Sequence, residues 1–178
     1  MEFKLRNPGM NIQEWSKKYE DLEPNDFKLE EECFASKRST GCLDRDLLEK
    51  IAKWKAPRSA GHVAKNSDEY VKEITGFAFK AKEERSRIEI LTVLSGVEWP
   101  TASVILHFFH PDPYPILDFR ALWSLSTEVP KHYDFPFWWS YVEACRKFSQ
   151  QFGVSMRILD RALWSYSRIN APKAKDRL

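Results

Sequence analysis

Residues 90–125 read ILTVLSGVEWPTASVILHFFHPDPYPILDFRALWSL and carry the most specific pattern in the chain. Apolar residues recur at helical spacing on both sides of a short polar break. The break, Ser95 to Trp99, is too short for anything but a tight turn, and Pro100 suits the first turn of the helix that follows. Gly96 supplies the positive φ that such a turn needs. The pattern therefore predicts two helices joined by a tight hairpin.

The second half of this stretch predicts a stiff loop and then another helix. Residues 110–115, HPDPYP, contain three prolines and cannot continue the preceding helix. The loop ends at Asp118, and apolar residues at helical spacing follow it to Leu125. We expect Asp118 to cap this helix by accepting hydrogen bonds from the N–H groups of Arg120 or Ala121.

The rest of the chain also shows helical periodicity, and no alternating apolar and polar runs that indicate strands. Asp44 and Ser67 are expected to cap two of these helices, and Pro57 is expected to end one. Further helices are predicted over 11–22, 43–56, 67–81, 83–94, 137–152 and 155–169, with a short one near 30–36. The predicted fold class is all-α, a compact bundle of seven or eight helices.

Three regions are expected along the chain. Residues 1–42 form a loosely organised helical leader, 43–169 form the main domain, and 170–178 form a basic tail. The chain has 178 residues, which is enough for one domain with a full core.

Composition excludes several classes of protein. Apolar residues make up 43% and charged residues 30% of the chain, as in ordinary soluble domains. No apolar run reaches the roughly 20 residues of a membrane span, and residues 1–11 do not form a secretory leader pattern. We therefore expect no membrane partner and a cytoplasmic location. The net charge is only +2, with the basic excess toward the tail, so a polyanionic partner is compatible but not indicated by charge alone.

Cysteine and histidine counts give no sign of a metal or cofactor. The three cysteines, Cys33, Cys42 and Cys145, are too few for a four-cysteine iron–sulfur cluster and show no ligand spacing. Among the histidines only His107 and His110 are spaced at i, i+3, which is a weak metal signal. The sequence predicts neither a metal nor a cofactor.

The hairpin has a chemistry of its own. A helix that starts directly after a tight turn exposes backbone N–H groups with the positive end of its dipole behind them, and a phosphate can bind there without a basic side chain. The ordinary alternative is a helix–helix turn with no ligand. For Asp118 the ordinary alternative is a plain helix cap, although a capping aspartate can also face a pocket.

These motifs resemble the helix-hairpin-helix DNA glycosylases, and most closely the adenine-mismatch glycosylases. Strings of that family read much like GVxxxTAxxIL and FPILD. The matching residues here run from Gly96 to Leu106 and from Tyr114 to Asp118. The resemblance implies a DNA-repair protein that flips a damaged or mismatched base out of double-stranded DNA and hydrolyses its N-glycosidic bond.

The resemblance also implies which residues act. Asp118 is the expected catalytic residue, stabilising the cationic sugar or activating a water. The residues expected to contact DNA are Gly96, Val97, Glu98, Thr101, Lys55, Arg58, His62 and Arg120. If the chain binds DNA, it is expected to associate with the nucleoid.

Two departures from the family refine this expectation. Glu98 replaces the second glycine of the family hairpin, and Pro100 stands where bifunctional members carry a Schiff-base lysine. The expected activity is therefore monofunctional, without lyase chemistry. A non-catalytic DNA-binding protein and a protein-interaction module on the same fold stay open as alternatives.

Overall fold

A computed structural model describes residues 2–172, apart from the side chains of 38–40, and this part of the chain is helical without strands. The predicted all-α class is confirmed. The α-helices are α1 (Ile12–Leu22), α2 (Asp26–Thr40), α3 (Arg45–Lys55), α4 (Pro57–Ala60), α5 (Asp68–Lys80), α6 (Glu84–Leu91), α7 (Trp99–Phe109), α8 (Phe119–Ser124), α9 (Phe135–Phe152) and α10 (Met156–Asn170). A single 3-10 turn spans Val63–Lys65 within the same described range.

Helix starts follow the capping residues that the sequence predicted. The Asp44 carboxylate accepts a hydrogen bond from the Leu47 N–H at 2.8 Å, and the Ser67 hydroxyl accepts one from the Tyr70 N–H at 3.1 Å. Each side chain satisfies an N–H group that has no partner inside its helix. Both predicted caps are confirmed.

Other boundaries differ from the prediction. Pro57 does end α3, but it also begins the short helix α4, because proline fits the first helical position where no N–H is needed. Helix α6 ends at Leu91 rather than at residue 94. The described residues thus form ten α-helices instead of seven or eight.

Contacts divide the chain into two compact units. Unit 1 comprises residues 1–24 and 118–178, and unit 2 comprises residues 25–117. The predicted boundary at residue 42 does not coincide with this division. Most of the predicted basic tail, residues 173–178, lies outside the described residues.

Unit 2 is built around α7. This helix packs against α2, α3 and α6, and most of its side chains are buried. Its sequence, TASVILHFF after the proline, is apolar on every face, which suits a helix with neighbours on all sides. The hairpin turn directly precedes this central helix.

Unit 1 is built around α10, which packs against α1, α8 and α9. Ile12 and Tyr19 of α1 are buried, so the N-terminal helix belongs to a core rather than to a loose leader. An extended segment before α1 hydrogen bonds to the end of α8, where the Arg6 N–H donates to the Ser124 carbonyl at 2.8 Å. Within residues 2–172, no helix combines the length and the apolar character needed to cross a membrane.

Candidate nucleic-acid interface

The connection between α6 and α7, residues 92–98, contains the glycine with positive φ that the sequence predicted. Gly96 has φ +84°, in the left-handed region, and the Val97 N–H donates to the Leu94 carbonyl at 3.0 Å. The side chains of Leu94 and Val97 are buried on either side of the glycine. The turn is therefore anchored in the core of unit 2 at both ends.

Gly96 is required by packing as well as by its φ. A Cβ atom at this position would lie 2.8 Å from the Ser59 carbonyl oxygen and 3.0 Å from the Val63 nitrogen. These are backbone atoms, which cannot move aside as a flexible side chain does. The turn thus lies directly against the segment that joins α4 to the 3-10 turn.

Asn66 fastens this contact and was not among the residues singled out from the sequence. Its side chain is 5% exposed. Its amide oxygen accepts from the Ser95 N–H at 2.9 Å, and its amide nitrogen donates to the carbonyls of Ser95 at 3.0 Å and Val63 at 2.9 Å. One asparagine therefore holds the hairpin turn and residues 57–66 together. An asparagine before a helix-capping serine gives no sequence signal for this role.

The segment fastened to the turn carries two of the predicted DNA-binding side chains. Arg58 and His62 are both exposed, and they flank Ser59, whose carbonyl faces Gly96. We call residues 57–66 and 95–99 the hairpin surface. Lys55 lies just outside the hairpin surface, at the end of α3. It is half-buried and interacts with other residues. The structure thus brings together Gly96, Glu98, Arg58 and His62.

The start of α7 divides the remaining candidates between surface and core. Glu98 is exposed at the N-cap position, and its side chain makes no capping hydrogen bond. The side chains of Val97 and Thr101 are buried, so only their backbone groups are left for DNA, and the Val97 N–H already donates to the Leu94 carbonyl. The Thr101 hydroxyl has no hydrogen-bond partner among the described residues.

Asp118 belongs to unit 1 and caps α8. Its carboxylate accepts a hydrogen bond from the Arg120 N–H at 2.7 Å, which confirms the predicted cap. The residue is half-buried, neither sealed in the core nor fully in solvent. Burial raises the pKa of the Tyr133 hydroxyl, and the negative charge of Asp118 raises that pKa further. The carboxylate therefore acts electrostatically on a neighbouring phenol in the same unit.

Arg120, the last predicted DNA-binding residue, lies among aromatic side chains of unit 1. Its guanidinium carbon is 4.9 Å from the centroid of the Phe119 ring and 5.3 Å from that of Trp164. Such stacking fixes the position of a cation without neutralising its charge. Arg120 is half-buried in this arrangement.

The paired histidines have structural partners. The Nδ1 atom of His107 is 2.6 Å from the Tyr114 carbonyl oxygen, and the Nδ1 atom of His110 accepts from the Asp112 N–H at 3.0 Å. Burial lowers the pKa of His110, and the positive charge of Arg87 lowers that pKa further. Over the described part of the chain, no group of three or more His, Cys, Asp or Glu side chains is arranged to hold a metal ion.

The aromatic residues at the start of α9 pack against one another and do not form an exposed surface for stacking bases. Phe137, Trp138 and Tyr141 are buried, while Phe135 and Trp139 are half-buried and stack on each other with ring centroids 6.2 Å apart. These rings form part of the core of unit 1.

Comparison of the chain with protein-family models, with curated proteins and with solved structures gave no match.

Proposed function

We propose that this protein binds double-stranded DNA through the hairpin surface and removes a damaged or mismatched base as a monofunctional glycosylase. One observation carries the proposal. The turn at Gly96 packs against the backbone of the segment that holds Arg58 and His62, and it leaves no room for a Cβ atom at position 96. A backbone turn that leads into a helix is thereby joined to an exposed arginine and an exposed histidine.

The chemistry of this surface suits a phosphate group. Backbone N–H groups at the start of α7 lie at the positive end of the helix dipole, and a DNA phosphate binds such groups without a basic side chain. Arg58 adds positive charge beside them and His62 adds a ring N–H donor, whereas Glu98 carries the opposite charge. With so few cations, we expect weak binding that depends on salt, because each phosphate contact releases counterions from the DNA.

Asp118 supplies the proposed chemistry. When the N-glycosidic bond breaks, its electron pair leaves with the base, and positive charge develops on the sugar. A half-buried carboxylate stabilises that charge more strongly than one in bulk water, and it also orients the water that adds to the sugar carbon. Pro100 has no amine for a Schiff base, so the product is an abasic site with both strands intact.

The test measures binding and base release on one panel of duplexes that contain mismatched or damaged bases. We expect the logarithm of affinity to fall with the logarithm of salt concentration. Arg58→Gln should reduce this slope by about one, as expected for the loss of one phosphate contact. Lys82→Gln, which removes an exposed cation from the α5–α6 connection, is the control and should leave the slope unchanged. Affinity that does not vary between low and moderate salt would refute DNA binding.

The same panel tests the catalytic role. Asp118→Asn should abolish base release, detected as strand cleavage after alkali, while binding is kept. Asp134→Asn is a matched control, because Asp134 caps α9 through the same kind of bond, to the Phe137 N–H at 2.9 Å. Asparagine caps a helix about as well as aspartate, so neither variant should lose its fold. Base release at full rate in Asp118→Asn would contradict the assignment.

Exposed Glu98 favours a second candidate, a protein-interaction module that has lost DNA binding. A carboxylate beside the N–H groups of α7 repels phosphate and attracts a basic partner. Glu98→Gln separates the two functions. It should strengthen DNA binding if the hairpin surface contacts phosphate, and it should leave DNA binding undetectable if the module interpretation is correct.

A further inference from the structure

Unit 1 contains a surface groove of about 490 Å³ at the end of α8. This volume is within the range that holds small-molecule ligands, about 300–1,000 Å³. Six of the residues that line the groove are Arg6, Phe119, Trp123, Ser126, Glu128 and Val129. None of them belongs to the hairpin surface.

Arg6 is anchored so that only part of its guanidinium group is used. Its Nε atom donates to the Trp123 carbonyl at 2.8 Å, and its guanidinium carbon lies 4.2 Å from the centroid of the Trp123 ring. Its two terminal amino groups have no hydrogen-bond acceptor among the residues that the structure describes. An arginine held in place with unused donors is a suitable group to bind a phosphate.

Glu128 lines the same groove with the opposite charge. It is exposed and has no ion-pair partner within residues 2–172. Arg6 and Glu128 therefore face one groove without neutralising each other. A ligand that satisfies both carries an anion at one place and hydrogen-bond donors at another.

The apolar part of the groove suits a flat ring. Phe119 is 50% exposed and Val129 is 50% exposed, while Trp123 is half-buried beneath Arg6. Aromatic side chains left accessible in a groove with cations are typical of sites where nucleic-acid bases stack.

Ser126 is a second, independent sign that the groove has a function. It has φ +56°, and its N–H donates to the Trp123 carbonyl at 3.0 Å while the Thr127 N–H donates to the Leu122 carbonyl at 2.9 Å. This pattern ends helices with a left-handed residue, usually glycine. A serine there costs stability, and such strain tends to occur at binding sites.

We propose that this groove binds a nucleotide. The base stacks on Phe119, the phosphate meets the terminal amino groups of Arg6, and the N–H edge of the base donates to Glu128. Guanine is the preferred base, because it presents two adjacent N–H donors to the two oxygens of one carboxylate. The proposal goes beyond the hairpin surface and does not depend on it.

The experiment measures binding of GMP, guanosine and a short single-stranded oligonucleotide containing one dG, by calorimetry on the full chain. Phe119→Ala should weaken GMP binding by about 5- to 100-fold, the range for the loss of base stacking. Phe77→Ala is the matched control, since Phe77 is 53% exposed in unit 2, outside the groove. Arg6→Gln should reduce GMP affinity to that of guanosine, and Glu128→Gln should remove the preference for guanine over adenine.

Each outcome decides the proposal. Binding of GMP supports a free nucleotide, and binding of the oligonucleotide alone supports a nucleotide within a strand, provided that Phe119→Ala weakens it and Arg58→Gln does not. Absence of binding to all three probes overturns the proposal, as does binding that Phe119→Ala and Arg6→Gln leave unchanged. A reduced salt slope of duplex binding in Arg58→Gln with GMP binding intact separates this groove from the hairpin surface.

Discussion

Two turns of this protein adopt the left-handed backbone conformation with different residues. Gly96, in the hairpin of unit 2, has φ +84°, and Ser126, at the end of α8 in unit 1, has φ +56°. At Gly96 the backbone of Ser59 and Val63 occupies the space where a Cβ atom would lie. Ser126 is exposed at the edge of a groove. Positive φ alone favours glycine, whereas packing of backbone on backbone makes glycine obligatory.

The difference bears on the two proposed sites. The hairpin surface is fixed by contacts within the core of unit 2, so the backbone N–H groups that it offers lie in one rigid arrangement beside the side chains of Arg58 and His62. The groove of unit 1 keeps a side chain at a position where glycine would be more stable. Backbone N–H groups in a fixed arrangement suit phosphate groups, which are the same at every nucleotide. A side chain suits the recognition of one particular ligand.

Gly96→Ala should have the largest effect. The left-handed conformation costs a residue with a side chain about 1–2 kcal/mol, and overpacking against backbone adds about 1–3 kcal/mol. We expect the free energy of unfolding to fall by about 2–5 kcal/mol in urea denaturation. Gly61→Ala is the control, because Gly61 has φ −61° and nothing lies within 4 Å of a Cβ atom there. A loss below about 0.5 kcal/mol in Gly96→Ala would show that the turn is not packed as described.

Asn66→Ala should have the next largest effect, since it removes the clamp that holds Ser95. The variant leaves the Ser95 N–H and the Ser95 carbonyl without their partner in a part-buried site, at a cost of about 1–3 kcal/mol, whereas the Val63 carbonyl keeps its bond from the backbone N–H of residue 66. Duplex binding should weaken as well, because the turn would no longer be fixed beside Arg58. Asn170→Ala, which removes an exposed bond to the Tyr166 carbonyl, should change stability by less than about 0.5 kcal/mol. Equal stability of the two variants would argue against the clamp.

Of the two features that these variants test, the turn at Gly96 was predicted from the sequence and the clamp by Asn66 was not. The turn at Gly96 and the caps at Asp44, Ser67 and Asp118 were predicted because each depends on neighbours within a few residues. The clamp by Asn66 was not, because it joins positions 29 residues apart. The two-unit division escaped prediction for the same reason, since α1 packs on α10 from the opposite end of the chain. Burial of Thr101 was equally hidden, because its helix has neighbours on all sides.

Ser126→Gly should have the smallest effect and the opposite sign. Glycine adopts φ +56° without steric cost but loses more backbone entropy on folding, so we expect a net gain of about 0.5–1 kcal/mol. Gly153 provides the converse substitution, because it ends α9 at φ +60° with the same pair of hydrogen bonds, from Gly153 to Gln150 and from Val154 to Ser149. Gly153→Ser should lower stability by a similar amount.

Measured together, these two substitutions test whether Ser126 is kept for binding. Nothing lies within 4 Å of a Cβ atom at Gly153, so a serine there meets only the backbone cost. If Ser126→Gly raises the urea midpoint and also weakens GMP binding, the hydroxyl is retained for the ligand at the expense of stability. If the midpoint falls instead, the serine contributes contacts that outweigh its backbone strain, and the argument that strain marks the groove as a site is wrong.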